Sequence, residues 1–306
     1  MPGPDAHVQI QAERRLGGRY RLRQPIAVGG MAEVWEGYDE TLSRPVAVKV
    51  LKTHLAADDS FRERFRRAAS PAARLVHPKV VATFDTGLDA GTAFIVMELV
   101  RGWTLRELLS ERGPLPPALA VVITDQIADA LGYAHRSGLI HRDVKPANVL
   151  LCDDDASMPR VKVADFGIAK ATEQLDLDLT QTGMLIGTPK YLSPEQVDGR
   201  EPDARADLYA LGVVLFEMLA GRAPFTAQTD LAVALAHLQE LPPLVGSLCP
   251  GISPALEDLV GRLLAKDPAL RVASAAELRE RLAAPGLTRI TPRDGPTGNG
   301  ALQPTV

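Results

Sequence analysis

His141-Arg142-Asp143-Val144-Lys145-Pro146-Ala147-Asn148, with Asp165-Phe166-Gly167 a short way downstream, is the stretch that decides how this chain reads. Asp143 is a carboxylate able to take a proton from a hydroxyl. Lys145 places a cation two residues on. Asn148 and Asp165 add an amide oxygen and a carboxylate, the ligands a hard cation prefers. Each of these residues alone suits a turn or a cap, where Asp and Asn are common. The ordered set points instead to a catalytic loop and a cation-binding loop.

Working outward, the chain divides into two halves of different character. Arg19 to Ile26 alternates and runs into Val28-Gly29-Gly30, a strand ending in a tight loop. Ala32 to Tyr38, Pro45 to Leu51, Val80 to Thr86 and Thr92 to Leu99 read as further strands. Phe61 to Leu75 is an Arg- and Ala-rich helical stretch with Pro71 inside it, which predicts a break or kink. After Gly102 the pattern turns helical. Thr104 to Ser110 is short, and Pro117 to Ser137 is long with Gly138 as its stop. Asp207 to Ala220 is apolar enough to be a central buried helix. Asp230 to Gln239, Pro254 to Leu264 and Ala275 to Ala283 complete the series. A hinge is expected between Glu98 and Gly102, and clefts between lobes are where small ligands bind.

The 306 residues carry a net charge of −4, 46% hydrophobic and 24% charged residues, the composition of a soluble globular protein. This argues against a nucleic-acid binder driven by bulk positive charge. Cys152 and Cys249 are too few for a zinc framework and fit a reducing cytoplasm. Residues 1–18 lack the apolar core of a signal peptide and read as a tail. No apolar run is long enough to span a bilayer; Leu208 to Ala220 has buried-core length and contains Glu217. Residues 284–306 read as a flexible tail or linker, so the chain also suits the intracellular part of a longer membrane protein.

Over roughly residues 19 to 283 the chain resembles the bacterial Hanks-type, eukaryotic-like Ser/Thr protein kinases, with the motifs in that family's order. The resemblance implies an α+β, bilobal protein-kinase fold. It has a small, mainly β N-lobe with one helix (about 19–100), a larger, mainly α C-lobe (about 101–283) and a nucleotide cleft between them. It implies ATP and Mg²⁺ as cofactors and protein Ser/Thr hydroxyls as acceptors. Ala27-Val28-Gly29-Gly30-Met31 would be the flap over the phosphates, with Ala27 and Ala32 at the outer glycine positions. Lys49 of Val46-Ala47-Val48-Lys49 would hold the α- and β-phosphates. Val34, Ala47 and Leu150 would enclose the adenine, Met97 would be the gatekeeper, and Glu98 to Val100 would offer hinge backbone groups. Asp143 would be the catalytic base, Lys145 would neutralise the transferring phosphate, and Asn148 and Asp165 would hold Mg²⁺. Lys145 resembles the family's Ser/Thr branch.

Between Asp165 and Glu195 lies the expected activation segment, with Thr172, Thr180, Thr182 and Thr188. Thr180 and Thr182 resemble autophosphorylation sites, and Arg142 would receive such a phosphate. Thr188 resembles a structural hydroxyl. Glu195 with Arg271 resembles a buried ion pair, and Asp207 a brace for the catalytic loop. A homodimer through the small lobes is a further expectation of the resemblance. The chain departs from the family at one point: Ala68 stands where a helix glutamate would pair with Lys49, and neither Arg64 nor Ala72, one turn away, is acidic. Two functions follow as expectations. One is an ATP- and Mg²⁺-dependent Ser/Thr protein kinase, weakened by Ala68. The other is a kinase-fold scaffold or pseudokinase that binds nucleotide or a partner.

Overall fold

The computed structural model describes residues 13–30, 32–52, 71–152, 159–166 and 189–287. Its first half is a sheet of β1 (Arg15–Leu16), β2 (Tyr20–Val28), β3 (Ala32–Asp39), β4 (Arg44–Leu51), β5 (Thr83–Asp89) and β6 (Thr92–Met97). The strands lie in the order β1-β2-β3-β4-β6-β5, every neighbouring pair antiparallel. Because successive side chains in a strand point to opposite faces, Val46, Val48 and Val50 of β4 go one way and Ala47, Lys49 and Leu51 the other. The first set packs with Leu16, Tyr20, Leu22, Trp35, Phe94 and Val96. The second face carries Ala47, Leu51, Val81, Ala93, Ile95 and Met97, with Val34 and Leu150 against them. The period of two therefore delivers Lys49 to the cleft side of the sheet.

Residues 13–18, set apart in the sequence as tail, join this lobe. Leu16 is fully buried, and β1 pairs with β2 through Arg15↔Arg21 and Leu16↔Tyr20. The stretch expected to begin a strand at Val80 behaves differently. The Val81 N–H donates to Val163 O, and the Val163 N–H donates to Lys79 O, both at 2.9 Å. Residues 79–81 thus pair with a strand of the second lobe, and β5 begins only at Thr83.

That second lobe opens with β7 (Gly102–Thr104), α1 (Leu105–Arg112) and α2 (Pro117–Arg136). Thr104 caps α1 in a reciprocal capping box with Glu107. Proline at the first position of α2 and Gly138 in the left-handed region beyond its end bound that helix as the sequence predicts. Strands β8 (Val149–Cys152) and β9 (Val161–Val163) pair antiparallel, and β7 lies on the far side of β8. Then follow α3 (Pro194–Val197), α4 (Ala204–Ala220), α5 (Asp230–Gln239), α6 (Pro254–Leu263) and α7 (Ala275–Leu282). Helix α4 is buried on nearly every side, from Ala206 through Phe216 and at Met218 and Leu219. It starts at Ala204, a turn before the expected Asp207, because the Asp203 side chain accepts the Arg205 N–H as N-cap. Leu287 is also buried, so the lobe runs on to that residue.

Gly212 shows how closely α4 packs. A Cβ there would lie 2.6 Å from Leu263 Cβ of α6. Gly212→Ala is therefore expected to lower stability by about 1–3 kcal/mol, the usual cost of overpacking a filled core. Urea denaturation would check this: an unchanged midpoint would show that the two helices separate freely.

Candidate active site

The β8–β9 hairpin assembles the site. Its register pairs Val149 with Val163, so the residues just outside the ladder, Asn148 and Ala164, come face to face. The Ala164 N–H donates to Asn148 O at 2.9 Å. The loop ending at Asn148 and the loop starting at Asp165 are thereby locked together.

Within the first loop, Lys145 Nζ donates to Asp143 Oδ2 at 2.7 Å. Asn148 Nδ2 donates to the same oxygen at 3.0 Å and to the Asp143 backbone carbonyl at 2.8 Å. Those two bonds fix the amide so that its oxygen, an acceptor, remains for a cation. The Asp143 side chain keeps 38% exposure, enough for a substrate hydroxyl to reach it. His141 is fully buried and packs at a tilt against Phe166 with ring centroids 4.5 Å apart. Its Nε2–H donates to Ala164 O at 2.8 Å, and its Nδ1 accepts the Asp143 N–H at 3.2 Å. Both ring nitrogens are thus committed.

A buried carboxylate supports this loop from below. Asp207, in the first turn of α4, accepts the N–H groups of His141 and Arg142 at 2.8 Å each and His135 Nε2–H at 2.7 Å. Arg142 has φ +67° and Asp165 φ +66°, left-handed conformations that cost a non-glycine residue about 1–3 kcal/mol. The bonds from Asp207, and from Gln196 Nε2 to Arg142 O at 3.0 Å, hold the first of them.

Across the cleft, Lys49 Nζ lies 2.8 Å from Asp165 Oδ2. Burial pushes the Asp165 carboxyl up, but the Lys49 ammonium outweighs it and keeps the group below the usual carboxylate range. Val34, Ala47, Met97, Val100 and Leu150 meet in one apolar cluster, the wall of the cleft. Behind Met97 a small cavity is lined by Val80, Thr83, Ile95, Asp165 and Phe166. The Glu98 N–H is used by Ala82 O at 2.8 Å, which leaves its carbonyl as its backbone group for a ligand. The Glu98 side chain braces the hinge by accepting Lys162 Nζ at 2.9 Å. Ala27, Val28, Gly29 and Gly30 are exposed at the end of β2, where the Gly29 N–H closes a turn onto Ala32 O at 3.0 Å. Met31, Ala68, Gly167, Thr172, Thr180, Thr182 and Thr188 lie outside the described residues.

Among the sequence-predicted structural residues, Glu195, Arg271 and Asp207 take the expected places. Glu195 and Arg271 form a buried two-pronged ion pair at 2.7 and 2.8 Å. Sequence reasoning passed over Gln196 and Glu201, both of which bond to Arg142. Gln196 carried a readable signal: Ser193-Pro194-Glu195-Gln196 is a capping-box pattern, and the structure makes that box. Glu201 carried none.

The model of the protein kinase domain family matches residues 20–282. A probable serine/threonine-protein kinase of Streptomyces coelicolor is 47% identical over 274 residues, covering 88% of this chain and 40% of that protein. The serine/threonine-protein kinase PknL of Mycobacterium tuberculosis is 43% identical over 260 residues, covering 85% of this chain and 64% of its own length. The chain thus spans less than two thirds of either relative. Among solved structures, the PknI kinase domain of Mycobacterium tuberculosis superposes with a TM-score of 0.70 at 32% identity, covering 89% of this chain and 96% of that one.

Proposed function

The chain belongs to the protein kinase domain family, and from that premise we propose that it transfers the γ-phosphate of ATP to Ser or Thr hydroxyls of proteins. The observation that carries the reading is the joined pair of loops. Asp143, Lys145 and Asn148 share one hydrogen-bonded cluster, and the Asn148–Ala164 bond sets Asp165 beside it. In this reading Asp143 accepts the hydroxyl proton and aims the oxygen. Lys145, already 2.7 Å from that carboxylate, faces the transferring group. Lys49 releases Asp165 to hold nucleotide phosphates, and the apolar wall of Val34, Ala47, Met97 and Leu150 takes the adenine.

The donor set fits a magnesium ion: one free amide oxygen on Asn148 and one carboxylate on Asp165, both hard oxygens. Bound with ATP, the ion would screen the negative charge that builds on the phosphates. Among the described residues no helix is long and apolar enough to cross a membrane. We read the chain as the cytoplasmic catalytic part of its protein, acting on protein substrates, with no nucleic acid as partner and with pairing of copies through the small lobes. Thr180 and Thr182 are the proposed autophosphorylation sites.

Transfer of labelled γ-phosphate from Mg·ATP to the chain itself and to a generic basic protein tests the reading. Incorporation into serine or threonine is the expected result. Nucleotide binding without incorporation, restored by Ala68→Glu, would instead mark a kinase scaffold disabled at the Lys49 partner.

A further inference from the structure

Arg142 sits next to the base, and its side chain is 6% exposed. Its guanidinium carries a charge at every accessible pH. A buried charge of this kind requires a partner of opposite sign. Glu201, in the stretch between α3 and α4, supplies one: Arg142 Nη2 lies 2.7 Å from Glu201 Oε1. The glutamate itself is 81% exposed. Taken alone, an ion pair with one exposed member would contribute little. The arginine at the other end is different. Its backbone N–H is held by Asp207, its carbonyl by Gln196, and its φ is left-handed. The guanidinium is the remaining lever on a residue whose next neighbour is Asp143.

We propose that Glu201 is a positioning residue: a carboxylate built into the chain that pairs with Arg142 and holds the Asp143 loop without an added phosphate. A phosphorylated residue offered to Arg142 would supply the same chemistry, a localised negative charge accepting guanidinium N–H groups. Glu201 provides it in the unmodified protein. The proposal rests on the kinase reading given above.

The test uses the full chain treated with phosphatase, so that no phosphate can serve Arg142. Steady-state transfer from Mg·ATP to a peptide is compared for the wild type, Glu201→Gln and Glu201→Asp. Rates are read well below the melting temperature of each variant, because Glu201→Gln takes a charged partner from Arg142. The treated wild type is expected to keep its rate within about threefold of the phosphorylated form. Glu201→Gln should lower kcat about tenfold with KM for Mg·ATP unchanged, and phosphorylation should restore it. Glu201→Asp should retain most of the rate. A wild type silenced by phosphatase overturns the proposal, as does a Glu201→Gln variant that turns over like wild type or whose lost rate phosphorylation does not restore. Binding of Mg·ATP with no transfer by the wild type in either form is the separate failure of the kinase reading, and the proposal falls with it.

Discussion

Asp143→Asn is expected to lower phosphotransfer by about 10²- to 10⁴-fold, the range that a positioned general base contributes. The asparagine keeps the size of the side chain and removes only the carboxylate. It cannot take the hydroxyl proton, and it offers Lys145 and Asn148 an amide where they now bond to Oδ2. The side chain is 38% exposed and lies outside both cores, so the variant should fold as the parent does. In the proposed reading nucleotide binding runs through Lys49, Asp165 and the apolar wall, so affinity for Mg·ATP should hold. Initial rates with labelled ATP and a separate nucleotide-binding titration check both halves. A variant within tenfold of the parent would remove Asp143 from the role of base.

Arg271→Ala should lower stability by about 3–5 kcal/mol, the cost of stripping one member from a buried ion pair. The guanidinium joins Glu195 at two points and also donates to the carbonyls of Ala265, Arg205 and Lys266. Alanine would strand the Glu195 carboxylate and three carbonyls in the interior. The pH dependence gives a second readout. Burial raises the Glu195 carboxyl, but the bonds from Arg271 outweigh it and hold the group below its ordinary value. Its stabilisation is therefore complete above the unfolded value of about 4.3 and is lost as pH falls through the lower folded value. Without Arg271, burial is opposed only by a backbone bond and the bond with Ser193, and the carboxyl shifts upward. The folded variant then binds the proton more tightly than the unfolded chain and gains stability on acidification. The gap between parent and variant should narrow as pH drops from neutrality toward about 4. Urea midpoints at two pH values measure it, and a gap that widened instead would mean that Glu195 stays ionised by another route.

Much of this architecture could be read from local pattern. The alternation Val46-Ala47-Val48-Lys49 announces both a strand and the face on which Lys49 lies, because the strand period is two. Proline before α2 and glycine after it mark that helix from both ends. The misreadings have physical causes. Val80 looked like the start of a strand in the first sheet because its neighbours are apolar and β-branched. Its backbone instead pairs with β9, which lies far along the chain in the second lobe. Asp207 was legible as a brace, but α4 begins a turn earlier, on the cap supplied by Asp203. The tail ahead of Arg19 seemed polar, and only the fold shows Leu16 buried in one cluster with Tyr20 and Phe94.

The sequence by itself determined the order of the motifs, the division into a sheet lobe and a helical lobe, and the identity of Lys49, Asp143, Asn148 and Asp165 as candidates. These depend on spacing within a few residues, which backbone geometry converts directly into faces and caps. The tertiary structure decided what holds those groups. Asp207 accepts the catalytic-loop amides, the β8–β9 register joins Asn148 to Ala164, and Gln196 and Glu201 reach Arg142. Such bonds join residues far apart along the chain. They exist only once packing around α4 has brought distant segments to within hydrogen-bond reach, and no local period records them.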